Sequence, residues 1–180
     1  MNGGLRREET PVYCLLFTIN VVRAMDIALL AVGRLRPYYR AACDDYLRRL
    51  SRYARVSECE VRETTSGSPA VGQRTDDAAL LAKAPDRATL VALAREGGPW
   101  SSRDLARRVE RWRTSGRPVA LVIGGSWGLG PAMLDVADAT WSLGPLTLPH
   151  ELARVVVLEQ LYRAFTMLEG HPYHKGAGSR

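Results

Sequence analysis

Apolar and polar positions along this chain switch repeatedly between two spacings. Met25-Asp26-Ile27-Ala28-Leu29-Leu30-Ala31-Val32-Gly33 reads as a buried-type strand closed by a turn glycine. From Pro37 to Tyr53 the spacing becomes helical, with Tyr38, Ala42, Tyr46, Leu47 and Leu50 on one side. Val56–Val61 alternates as a strand. Residues 62–75, rich in Thr, Ser, Gly and Pro, read as a mobile loop, and Thr75-Asp76-Asp77 reads as the cap of a short helix through Leu81. Ala88–Leu93 is a strand. Ser101-Ser102-Arg103-Asp104 opens a helix to about Thr114, with Leu105, Val109 and Trp112 on one face. Val119–Ile123 is a short, wholly apolar strand, followed by a glycine loop and a helix from Pro131. Ala139–Leu143 is the last strand and Pro149–Leu168 the last helix.

Strands alternating with helices predict an α/β domain built on a mostly parallel sheet flanked by helices. Such sheets bind ligands beyond the carboxyl ends of their strands. Leu93, Gly125 and Gly144 each fall at or just past such an end, which points to one shared site.

The 180 residues suit a single domain with a real core. No apolar run reaches membrane-spanning length. Net charge is +6, and Lys83 and Lys175 are the only lysines. An arginine-biased genome explains that excess; so does a phosphate-bearing partner such as RNA, which arginine grips bidentately. Cys14, Cys43 and Cys59 are widely spaced and form no CxxC pair. That argues against a zinc site or a disulfide framework and favours a reducing cytoplasm.

Residues 1–24 differ in character from the rest of the chain. A charged stretch from Arg6 to Glu9 precedes an apolar one from Pro11 to Val22. A signal peptide looks similar, but acidic residues sit among the basic ones and no small-residue cleavage motif comes after them. The segment reads as an extension, or as the product of a misassigned start codon before Met25. The domain itself spans 25–175, and 176–180 is a tail.

The candidate chemistry is concentrated late in the chain. Gly124-Gly125-Ser126-Trp127-Gly128-Leu129-Gly130 follows a buried strand, where glycines let backbone approach a ligand. The loop lacks the GxGxxG pattern and the Lys-Ser/Thr of a phosphate-binding loop, so a tight turn without a ligand explains it equally well. The run Leu143-Gly144-Pro145-Leu146-Thr147-Leu148-Pro149 offers apolar faces and backbone hydrogen bonds of the kind that hold an adenine ring. His150 opens the last helix, as a hydrogen-bonding imidazole or as a plain capping residue. That helix is apolar nearly all round through Val155-Val156-Val157-Leu158, which suits either a dimer interface or a central core helix. All three histidines lie at 150, 171 and 174, and His171-Pro172-Tyr173-His174 follows the helix-stopping Gly170. There is no nucleophile elbow, no HExxH and no paired carboxylate cluster, which ranks hydrolase and metalloenzyme chemistry low.

Leu121-Val122-Ile123-Gly124-Gly125 with Gly128-Leu129, the string Trp141 to His150, Glu159-Gln160-Leu161-Tyr162-Arg163-Ala164 and His171-Pro172-Tyr173-His174 together resemble one family. It is the bacterial 23S ribosomal RNA pseudouridine N3-methyltransferases, ribosomal RNA large subunit methyltransferase H. Ala31-Val32-Gly33-Arg34-Leu35 and Tyr46-Leu47-Arg48-Arg49-Leu50 fit the same pattern, and the likeness runs from about Met25 to Lys175. The resemblance implies a SPOUT-type fold with a C-terminal trefoil knot, S-adenosyl-L-methionine as methyl donor, a homodimer, and 23S rRNA within the ribosome as substrate, with neither metal nor membrane involved. It implies cofactor contacts from Leu93, Gly124, Gly125, Leu143, Gly144, Pro145, Leu146, Thr147, Leu148 and Pro149. It places His150, Arg154, Arg163, Tyr173 and His174 near the target nucleotide. Two positions depart from the family pattern: Trp127 stands where an acidic residue is usual, and Leu93 is followed by Ala94 instead of Asp. A related enzyme acting on a tRNA ribose, and a catalytically weak ribosome-binding protein, are the alternatives.

Overall fold

The structure is a computed structural model that describes residues 25–65 and 67–174. The N-terminal extension and the tail from Lys175 lie outside the described residues, as does the side chain of His174.

Five parallel strands form one sheet in the order β2-β1-β4-β3-β5. They are β1 (Met25–Val32), β2 (Ala54–Val61), β3 (Thr89–Pro99), β4 (Val119–Ile123) and β5 (Ala139–Ser142). The helices between and after them are α1 (Pro37–Leu50), α2 (Pro69–Leu81), α3 (Ser102–Ser115), α4 (Pro131–Val136) and α5 (His150–Leu168), followed by a 3-10 turn at Pro172–His174.

The two central strands explain their own composition. In β1 and β4 nearly every residue is buried, because helices cover both faces of the sheet. Ile27, Leu29 and Ala31 face a core completed by α1, α3 and α5 through Cys43, Leu50, Leu105, Val109, Leu158 and Phe165. The intervening Ala28, Leu30 and Val32 face a second core with Leu80 of α2 and Met133 of α4. A one-residue register slip would exchange the two sets, so the pattern locks the pairing.

Helix α5 packs between α1 and α3. None of its residues is fully exposed, and Leu152, Val155, Val156, Glu159, Gln160 and Arg163 form its half-buried outer stripe. The all-round apolar character expected from sequence is therefore met largely within one chain.

Several elements differ from the sequence reading; β2 starts at Ala54, two residues before Val56, and α1 ends at Leu50, short of Tyr53. Helix α2 begins at Pro69, far earlier than a helix capped at Thr75. Pro at the first helical position supplies the start, since its missing N–H is not needed there. Asp76 and Asp77 are thus buried mid-helix and cap other segments: Asp76 accepts from the N–H of Thr64 (3.1 Å), and Asp77 from those of Gly130 and Met133 (both 3.0 Å). Strand β3 continues six residues past Leu93, to Pro99, through a break in register between Leu93 and Gly98. The break depends on Gly97, where a Cβ would stand 2.8 Å from the backbone nitrogen of Trp141. Strand β5 ends at Ser142, one residue short of Leu143. Helix α3 starts as read, with a reciprocal capping box between Ser101 and Asp104.

Candidate functional site

The carboxyl ends of β4 and β5 and the register break within β3 open into one cavity of about 550 Å³, within the usual range for a small-molecule site. Leu93, Ala94 and Arg95 come from β3 at its register break; Ile123, Gly124, Gly125, Ser126 and Gly128 come from β4 and its loop. The third wall is Trp141, Leu143, Gly144, Leu146, Thr147, Leu148 and Pro149, and the N-terminal turn of α5 closes the ring with His150 and Ala153. The β3 break matters here: residues 94–97 have no pairing partner on β5, and Ala94 and Arg95 among them line the cavity. Trp141 is held by a parallel stack on Trp100 (5.3 Å between centroids), which in turn lies 3.8 Å beneath the Arg108 guanidinium.

The two ends of the glycine loop serve different needs. A Cβ on Gly124 would come within 2.4 Å of the Gly128 backbone, so this glycine lets the loop fold onto itself. A Cβ on Gly125 would meet Oε1 of Glu63 and Cγ1 of Val32 at 2.8 Å. Its bareness serves loop packing, where the sequence suggested room for a ligand. Gly144 is different. Its φ of +117° is a glycine conformation, and a Cβ there would meet nothing within 4 Å.

Glu63 went unnoticed in the sequence because it lies in a polar stretch without periodicity. Its Oε1 accepts the N–H of Ser126 at 2.7 Å. Hydrogen bonds from Ser126, side chain and backbone, hold its carboxyl below the usual carboxylate range, and nearby His150 adds to the effect. Gly33 was also missed as a site element: a Cβ there would stand 2.8 Å from Nε2 of His150. Glu151 anchors the same helix turn by accepting from the backbone N–H (2.7 Å) and Nε (2.8 Å) of Arg36 at the start of α1. The side-chain bond from Arg36 holds the Glu151 carboxyl below its ordinary range.

Of the described side chains expected beside the target nucleotide, only that of His150 lines this cavity. Arg154 is completely buried. It donates to Glu60 (2.8 Å), Glu58 (3.3 Å) and the carbonyls of Val32 (2.8 Å) and Gly33, so it ties α5 to the ends of β1 and β2. Arg163 pairs with Glu159 one turn earlier (2.7 Å). Tyr173 packs edge-on against Tyr162, and burial together with a hydrogen bond to Tyr46 pushes its phenol up to about 12. At 1.5 Å per residue, Arg163 sits about 20 Å along α5 from His150. Within one chain, then, His150 and the Arg163–Tyr173 cluster occupy opposite ends of the helix. Among the described residues no group of three or more His, Cys, Asp or Glu side chains could hold a metal ion, and no helix is long and apolar enough to cross a membrane.

Residues 25–174 match the family model described as "Predicted SPOUT methyltransferase". The chain is 47% identical over 153 residues to ribosomal RNA large subunit methyltransferase H of Anaeromyxobacter sp. (strain Fw109-5), covering 84% of this chain and 100% of that protein. It is 49% identical over 151 residues to the enzyme of the same name from Rubrobacter xylanophilus, covering 81% of this chain and 96% of that one. The chain belongs to the SPOUT methyltransferases, in the ribosomal RNA large subunit methyltransferase H family. It is a methyltransferase. Among solved structures it is similar in fold to a probable methyltransferase from Bordetella pertussis Tohama I, with a TM-score of 0.51 at 16% identity, over 78% of this chain and 96% of that one. Trp127, the residue unusual for the family, is half exposed and lies outside the cavity lining, with its indole over Gly72 of α2. Ala94 lines the cavity.

Proposed function

We propose that this protein transfers a methyl group from S-adenosyl-L-methionine to N3 of a pseudouridine in large-subunit (23S) ribosomal RNA, in the stem-loop facing the decoding region. It acts as a cytoplasmic homodimer. The observation that carries this reading is the cavity's composition: apolar walls from Leu93, Ile123, Trp141 and Leu148 beside the backbone-rich run 143–149, with one imidazole at the rim.

That lining fits the cofactor. An adenine ring needs apolar contact on its faces and backbone groups at its edge, and the open space at Gly144 leaves the loop's backbone accessible. The cofactor supplies an electrophilic methyl group. What remains for the protein is to hold the acceptor in line and to remove the N3 proton. His150, at the cavity rim beside Gly33 and Glu63, is positioned to accept that proton or to orient the nucleobase. Arginine would offset the negative charge that develops on the base's carbonyls.

A homodimer reconciles the separation along α5. The half-buried Leu152, Val155 and Val156 give the helix an apolar outer stripe near His150. A two-fold partner packed there would bring its own Arg163, Tyr173 and His174 toward this subunit's cavity. The reading is tested by mass spectrometry of large-subunit RNA from a deletion strain. Loss of one methyl from one modified uridine, restored by the purified protein with S-adenosyl-L-methionine, is the expected result. An unchanged modification map would overturn it.

A further inference from the structure

Beside the methyl-transfer cavity lies a second cleft of about 730 Å³, lined by Gly33, Arg34, Glu60, Val61, Arg62 and Glu63. It is built where β1 and β2 end together. Val32 pairs with Val61, and the N–H of Gly33 donates to the Val61 carbonyl at 2.9 Å. Arg34 and Arg62 therefore leave adjacent strands, whose backbones run about 4.8 Å apart. Both side chains are exposed.

The charges in this cleft are unequally engaged. Glu60 accepts from Arg40 and Arg154, each at 2.8 Å, and Glu63 accepts from the Ser126 N–H. The acids are thus turned toward protein donors. Arg34 and Arg62 have no ion pair or hydrogen bond to any described residue. Many of the chain's other arginines are paired, so two unpaired ones converging on a concave surface form a local cationic site.

The cleft and the cavity share a wall. Gly33 lines the first, His150 lines the second, and the Cβ position of Gly33 is 2.8 Å from the imidazole. A nucleotide reaching the cavity past His150 would carry its own strand across Gly33.

We infer that this cleft binds the phosphodiester backbone of the RNA strand flanking the target nucleotide, with Arg34 and Arg62 as its phosphate contacts. The inference rests on the proposed action on ribosomal RNA. Arginine offers planar, forked donors suited to phosphate oxygens, and backbone contacts of this kind position a strand without reading its sequence.

The test measures binding of a fluorescein-labelled single-stranded RNA oligonucleotide to the full chain across a salt series. It compares wild type, the double variant Arg34→Ala/Arg62→Ala, and Arg52→Ala/Arg111→Ala, which removes the same charge elsewhere. Each phosphate contact on a single strand contributes about −0.7 to the slope of log K against log salt. Losing two should flatten the slope by about 1.4, equivalent to roughly 25-fold weaker binding at about 0.1 M salt. The control pair should keep most of the wild-type slope, and calorimetry should show unchanged S-adenosyl-L-methionine affinity in both. Equal losses in the two double variants would overturn the inference, as would a wild-type slope in Arg34→Ala/Arg62→Ala. Weakened cofactor binding would assign the arginines to the cofactor's carboxylate instead. Failure of the rRNA reading is separately visible: wild-type protein would methylate no ribosomal RNA while its oligonucleotide affinity still depended on the two arginines.

Discussion

Gly33 and His150 are in contact across the molecule: the bare α-carbon at the end of β1 is what lets the imidazole at the start of α5 lie where it does. A Cβ at 33 would stand 2.8 Å from Nε2, and the residue's φ of +83° already excludes most side chains. Gly33→Ala should therefore do two separable things. Backbone strain should lower stability by about 1–2 kcal/mol, read from urea unfolding. Displacement of the imidazole should cut kcat/KM for methyl transfer on the order of 10²-fold, the scale of an ångström misplacement in a catalytic site. A variant with the stability loss and full activity would show that the position of His150 is immaterial to the reaction.

Glu63 gives the site a pH signature. Its folded-state carboxyl lies below the ordinary glutamate range, chiefly through Ser126. A depressed acid stabilises the fold above its unfolded pKa, and that contribution disappears as pH falls through the folded value. Glu63→Gln keeps an acceptor for Ser126 but removes the charge. Wild type should exceed the variant in urea midpoint at pH 7, and the gap should close as pH falls below about 4.3, the ordinary glutamate pKa. A gap that widens on acidification would contradict the assignment.

Arg154 offers a choice between two roles. Its burial against Glu58 and Glu60 makes it structural, while the family resemblance sets it near the nucleotide. Arg154→Met should destabilise by about 3–5 kcal/mol, because Glu58 and Glu60 keep Arg40 but lose their buried partner, and the carbonyls of Val32 and Gly33 lose a buried donor. Binding of RNA at a temperature where the variant remains folded should change little. A well-folded variant with lost RNA affinity would return Arg154 to the substrate.

Much of this architecture was legible in the residues, for identifiable reasons. β4 is apolar at all five positions because it is central and covered on both faces, so composition alone marks it. α3 carries its own start signal in Ser101 and Asp104. The failures share a cause: they involve partners distant in sequence. Asp76 and Asp77 look like the start of a helix, yet they sit inside one because Thr64, Gly130 and Met133 offer backbone donors from elsewhere. Gly125 looks like a ligand contact until Glu63 and Val32 occupy the space beside it. The register break in β3 depends on Gly97 meeting the backbone of β5, and no local period encodes that. Nor does any period encode a knot, which enters only through family resemblance.

The division of labour along α5 leads to the most discriminating experiment. His150 and the Arg163–Tyr173 cluster are about 20 Å apart in one chain, so the proposed site, if it uses both, needs either a second subunit or a rearranged tail. Deleting residues 171–180 should spare cofactor affinity and cut methyl transfer by about 10²-fold or more, the combined scale of a lost base and lost positioning. Inactive subunits can then be mixed. If the tail serves the partner's cavity, His150→Ala subunits co-refolded with tail-deleted subunits will regain activity. In each mixed dimer the tail-deleted subunit keeps His150 and receives an intact tail from its partner. Random pairing makes about half the dimers mixed with one of two sites complete, so recovery should approach roughly a quarter of wild type. If the tail serves its own cavity, every cavity in the mixture lacks either His150 or the tail. Activity would then stay at the level of the parent variants, and the trans arrangement would have to be abandoned.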